Sequence, residues 1–268
     1  MLKNIFKFIF LTVIFATFWG CSQKSSDAKT IKVGTIAGPE TDLVETAKEY
    51  AKQKYGLDIQ IVAFSDYTIP NAALADGSID ANMFQHTPYL DAAIKAKGYK
   101  IVPVGKTFVY PMGVYSKKIT AIDQVKNGNT VAIPNDPSNE ARALLLLEKA
   151  KLITLKPNAG TNATILDIAD NPLNLKFKEI DAAQLPRTLA DVDIAAINTN
   201  FAMVAGLLPS RDALIIEDPN SPYANLIVTR IGMENDPRVQ ELVEALHSQP
   251  VLNKAKELFK DQAVPAWK

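Results

Sequence analysis

The sequence predicts an α/β protein built as two lobes. Strand-like and helix-like segments alternate along it, the alternation runs through two successive rounds, and no long linker separates the rounds. Two rounds without a linker fit lobes joined by more than one crossing of the chain better than separate beads.

The first round opens with the buried-strand pattern Thr30 to Ala37. A helix follows, with Leu43, Val44, Ala47, Tyr50, Ala51 and Tyr55 on one stripe and Gly56 positioned to end it. Leu57 to Phe64 alternates Leu57, Ile59 and Ile61 against Asp58 and Gln60, the pattern of a half-buried strand. Helices near Asn71 to Ala75 and Pro88 to Lys97, then strands at Ile101 to Val104 and Phe108 to Tyr115, complete the round. The second has a strand at Thr130 to Pro134, a helix from Pro137 to Ala150, a strand at Leu175 to Ile180, a helix over Gln184 to Ala190 and a strand at Asp193 to Ile197. A strand-like stretch from Ala224 to Arg230 and two amphipathic helices after Pro237 and Pro250 finish the chain.

The N-terminus carries an export signal. Lys3 and Lys7 precede an almost unbroken apolar run from Phe8 to Phe18, and Gly20 directly precedes Cys21. The run falls short of the roughly 20 residues of a spanning helix and gives way at once to polar Ser22 to Lys29. Cys21 is the only cysteine, which excludes an internal disulfide and suits lipid attachment at a cleavage site. The reading is a signal peptide over residues 1–20 and a lipid-anchored tether over 21–29 on the membrane surface, facing the periplasm or the cell exterior. Cleavage removes Lys3 and Lys7 from the 29 basic residues, leaving 27 against 29 acidic ones. That balance offers no basic face for nucleic acid.

Several chemistries are excluded by spacing. Val104 to Thr107 reads VGKT, but a phosphate loop needs glycine where Lys100 stands. His86 and His247 are the only histidines, no HExxH or GxSxG motif occurs, and no metal or other cofactor is expected.

Two stretches hold the candidate site. Asp80 to Leu90 (DANMFQHTPYL) gathers Phe84, His86 and Tyr89 around a turn that Pro88 starts into a helix. These rings line a pocket or are core aromatics, with His86 satisfied by a backbone carbonyl. Pro134 to Leu147 (PNDPSNEARALLLL) has Asp136 or Ser138 as a helix cap and Arg142 near the helix start, where the dipole already favours an anion. Arg142 holds a ligand or pairs with Glu140 or a neighbouring acid.

Those two stretches, with Ala182 to Ala202 (AAQLPRTLADVDIAAINTNFA) and Ser221 to Arg230 (SPYANLIVTR), resemble the NlpA family of methionine-binding lipoproteins across essentially the whole mature chain. The resemblance implies a type II periplasmic-binding-protein fold, two α/β lobes with a ligand cleft between them. Lobe 1 would span 30–114, with 226–268 returning to it, and lobe 2 would span 115–225. It implies capture of L-methionine for an ABC permease driven by a separate ATPase, with D-methionine, a methionine-containing dipeptide or another apolar amino acid as alternatives. Tyr67, Phe84, His86 and Tyr89 would surround the thioether, Arg142 would take the carboxylate, and Asn198 and Asn225 would hold the carboxylate or ammonium. Met83 and Phe201 depart from residues common in the family and are expected to shape the pocket floor. Competing readings are an enzyme on the same fold, with His86 as its base, and a surface adhesin.

Overall fold

In the computed structural model, residues 29–260 and 262–267 are described. The expected signal peptide and Cys21 lie outside them. The first lobe begins with β1 (Thr30–Ile36), α1 (Pro39–Tyr55) and β2 (Asp58–Phe64). It continues through α2 (Pro70–Ala75), β3 (Ala81–His86), α3 (Thr87–Lys97) and β4 (Ile101–Val109). The second lobe follows with β5 (Gly113–Tyr115), β6 (Thr130–Pro134), α4 (Pro137–Lys149), β7 (Thr154–Leu155), β8 (Ile168–Asp170), β9 (Lys176–Ile180), α5 (Leu185–Thr188), β10 (Ile194–Ile197), α6 (Thr199–Val204), α7 (Pro209–Asp212) and β11 (Ile215–Ile216). The chain then returns through β12 (Ala224–Arg230), α8 (Pro237–Leu246), α9 (Gln249–Phe259) and β13 (Val264–Pro265).

Strand pairing sorts these elements into two main sheets. The first has the order β13-β4-β12-β3-β1-β2 and the second β11-β5-β10-β6-β9, with β7 and β8 paired apart. In the first sheet β1 runs parallel to β2 and β3, whereas β12 lies antiparallel between β3 and β4. The chain therefore crosses between sheets at residues 110–112 and again at 217–223. The single strand expected over Phe108 to Tyr115 is in fact two, one in each sheet, and the boundary drawn between 114 and 115 falls inside β5. The boundary between 225 and 226 likewise falls inside β12.

The helical stripe predicted after β1 is the core face of α1. Leu43, Val44, Ala47 and Ala51 are fully buried with Val239, Leu242 and Phe259 of α8 and α9. Each large apolar side chain there contributes about 1.5–3 kcal/mol of burial. Gly56 closes α1 in the left-handed conformation. Gly38, before α1, has φ 133, and a Cβ there would lie 2.7 Å from Val204 Cγ2 of α6, so its small size lets the lobes meet. In the second lobe α4 buries Ala141, Leu144 and Leu147 against Val131 and Ile133 of β6. A further apolar layer joins Ile36 and Phe84 of the first lobe to Tyr115, Ile197 and Phe201 of the second. Met83 belongs to the first-lobe core and does not line the cavity, whereas its neighbour Phe84 does. Phe201 does not line the cavity either; its ring backs Tyr67 at 4.9 Å.

Candidate functional site

Tyr67, Phe84, His86, Tyr89, Arg142, Asn198 and Asn225, the seven residues singled out from the sequence, all line one cavity between the lobes. Pairing of β3 with β12 sets Asn225 opposite His86, and Tyr67 enters from the loop after β2. Arg142 and Asn198 come from the second lobe, on α4 and at the N-terminus of α6.

One wall is aromatic. Tyr67 lies 5.8 Å from both Phe84 and Tyr89, and Phe84 lies 5.7 Å from Tyr89 in an edge contact. Tyr89 Oη donates to the Tyr67 backbone carbonyl at 2.9 Å, which fixes the Tyr89 ring. His86 caps α3, its Nδ1 accepting from the Tyr89 N–H at 3.3 Å, so Nε2 carries the proton and faces Asn139 Oδ1 of the other lobe. Burial, helped by the positive charge of Arg142, pulls the His86 pKa down to about 3. The ring is a neutral donor at physiological pH, and the expected backbone-carbonyl partner gives way to this arrangement.

The opposite wall is polar. Asp136 caps α4 by accepting from the Asn139 N–H at 3.0 Å, and the Asn139 side-chain amide also donates to it. Asn139 Oδ1 accepts from Asn198 Nδ2 at 2.8 Å, while Asn200 Oδ1 accepts from Tyr67 Oη at 2.7 Å across the cleft. Three buried atoms on this lining are left without a partner among the described residues: Asn198 Oδ1, Asn200 Nδ2 and Tyr110 Oη. Unpaired buried polar atoms cost about 1–3 kcal/mol each, and here an acceptor, a donor and a hydroxyl of this kind belong to residues that line one cavity.

Arg142 both lines the cavity and pairs with an acid. Glu140, the acid thought nearest to it, accepts instead from the Ile165 N–H. The Arg142 guanidinium pairs with Glu217 through Nε, at 3.0 and 3.1 Å, and Nη2, and Nη2 also donates to the Tyr110 carbonyl at 2.8 Å. The Tyr223 ring covers it at 4.4 Å. Tyr110 and Glu217 belong to the two crossing segments, so Arg142 ties both to α4. The fork expected to grip a carboxylate is therefore occupied along one edge, and Nη1 donates to no group among the described residues.

Glu40, Gln85, Tyr110, Asn139, Thr199 and Asn200 also line the cavity and were not singled out from the sequence. Asn139 and Asn200 lie inside recognised stretches, three residues after the Asp136 cap and two after Asn198. Among the described residues no cluster of side chains suits a metal ion, and no helix is long and apolar enough to cross a membrane.

The NlpA lipoprotein family profile matches residues 31–267. A relative named D-methionine-binding lipoprotein MetQ, from Salmonella typhimurium, is 51% identical over 250 residues, covering 92% of this chain and 92% of its own. A solved periplasmic substrate-binding protein of an ABC transporter from Coxiella burnetii is 64% identical with a TM-score of 0.86, over 88% of this chain and 100% of its own. A nutrient-binding protein from Burkholderia cenocepacia, solved bound to methionine, is 51% identical with a TM-score of 0.87, over 88% and 99%. The two-lobe architecture is that of periplasmic binding proteins, and the chain belongs to the NlpA lipoprotein family.

Proposed function

We propose that this protein is an extracytoplasmic, lipid-anchored binding protein that captures methionine between its lobes and delivers it to an ABC importer. The observation that carries the reading is the division of the cavity. An aromatic wall from one lobe and, from the other, Asn198 Oδ1 and Asn200 Nδ2, both unpartnered among the described residues, belong to the lining of one cavity. A thioether against ring edges gains about 0.3–1.5 kcal/mol per contact beyond area burial. The polar atoms match a zwitterionic head, with Asn198 Oδ1 an acceptor for the ammonium and Asn200 Nδ2 and Arg142 Nη1 donors for the carboxylate. Relatives that bind methionine support the choice of ligand.

Contacts from both lobes to one ligand favour the closed form over the open one. A permease recognising that form would receive the ligand, and a separate ATPase would supply the energy. Cys21 would carry the lipid that holds the protein at the membrane. His86, the candidate base of the enzyme reading, has its pKa pulled down to about 3 and both ring nitrogens hydrogen-bonded, which supports binding over catalysis. A methionine-containing dipeptide is the second reading, favoured by an adjoining apolar cavity that shares Tyr67 and Tyr89 and extends along Ala92, Ala93 and Ala96 of α3. Native mass spectrometry of the purified protein separates the two by ligand mass, and calorimetry with L- and D-methionine sets the enantiomer. Absence of binding to either enantiomer and to methionyl dipeptides would refute the proposal.

A further inference from the structure

Among the described residues that line the cavity, Glu40 is the one carboxyl. It occupies the first turn of α1, is 2% exposed, and forms no ion pair among the described residues. Its Oε1 accepts from Asn225 Nδ2 at 2.7 Å, and its Oε2 accepts from no group among the described residues. The ionisable groups around it come from every element of the lining. Tyr67 after β2, Tyr89 on α3 and Tyr110 in the first crossing are phenols pushed up by burial, so all three are neutral. His86 on β3 is neutral, and Arg142 on α4 is matched by Glu217. Without a cation, burial raises the Glu40 carboxyl to about 8, although the Asn225 hydrogen bond lowers it.

An acid in such a place destabilises the empty protein whenever it ionises, and nothing in the packing of α1 requires one there. Building on the proposed function, we propose that Glu40 is the counter-charge for the ligand's ammonium group, held in position by Asn225 and ionising as the ligand enters. Asn198 Oδ1 then serves as a neutral second acceptor. Selectivity follows from the pairing: the site requires a free amine, and a ligand carrying only a carboxylate meets an acid with no partner. The proton that leaves Glu40 passes to solvent, so below about pH 8 binding releases a proton and the affinity rises with pH.

The test is calorimetry of methionine binding at pH 7 in phosphate and in Tris, whose ionisation enthalpies differ, with wild type and Glu40→Gln. Gln keeps an acceptor for Asn225, and far-UV circular dichroism checks the fold of the variant. Wild type should show a buffer-dependent enthalpy equivalent to release of most of a proton. Glu40→Gln should lose that dependence and bind methionine at least tenfold more weakly, while its affinity for the desamino analogue 4-(methylthio)butanoate is equal to or higher than that of wild type. If wild type binds methionine without proton release, the assignment of Glu40 is overturned even should the variant fail to fold. An unchanged methionine affinity in folded Glu40→Gln overturns it as well, leaving the methionine reading intact. No methionine binding by folded wild type overturns the ligand reading and the assignment together.

Discussion

Glu217→Ala tests the arrangement around Arg142 from the side that the ligand does not touch. The pair is well buried, with side-chain exposures of 4% for Arg142 and 11% for Glu217. Removing one member of such a pair costs about 3–5 kcal/mol, because the other charge is left in a poorly solvated site. Arg142 would keep the Tyr110 carbonyl and the Tyr223 ring, which places the expectation near the lower end, about 3 kcal/mol. For a chain of this size that lowers Tm by about 6–12 °C in the absence of ligand. Differential scanning calorimetry with and without saturating methionine supplies the second half of the experiment. A carboxylate bound beside Arg142 Nη1 would restore the missing negative charge, so methionine should raise Tm more in the variant than in wild type. A tenfold gain in relative affinity would add about 1.4 kcal/mol, or roughly 3–6 °C. A Tm drop under about 2 °C, or a smaller methionine-induced rise in the variant, would refute the argument. Glu217→Gln, which keeps an acceptor, should show a smaller drop than alanine.

Tyr89→Ala should lose most of the methionine affinity with little change in circular dichroism. Norleucine should bind wild type about 1 kcal/mol more weakly than methionine, and that gap should shrink in the variant. A melting-temperature drop of many degrees with an unchanged gap would make the ring a core residue only. Cys21→Ser should move the protein from the membrane fraction to the soluble one with ligand affinity intact, and retention in the membrane would mean that the apolar run is an uncleaved anchor. His86, with its pKa lowered from 6.5 to about 3, should show no NMR titration between pH 5 and 8. The unfolded chain binds more protons than the folded one below about pH 6.5, so His86 subtracts stability as pH falls from there toward 3. A midpoint near 6.5 would contradict its burial.

The sequence by itself determined the elements whose causes are local. The stripe from Leu43 to Ala51, the Gly56 stop and the alternation after Leu57 reproduce α1 and β2, because helical and strand periods are written in neighbouring residues. It also singled out stretches that the fold brings together, since all seven candidate residues line one cavity. Tertiary structure decided the rest. Every residue of β3 is buried, and a central strand covered on both faces loses the alternation that would announce it, so Asp80 to Leu90 carries no strand pattern in the sequence. Tyr110 and Met112 carry no mark of a crossing, because only strand pairing decides that β4 ends in one sheet and β5 begins in the other. Glu217 became the partner of Arg142 across 75 positions, displacing the adjacent Glu140. Glu40, an ordinary first-turn acid by sequence, became a buried and unmatched carboxyl only when Asn225, 185 positions away, was folded against it. Pair energies depend on distance and desolvation in space, and neither quantity is a function of separation along the chain.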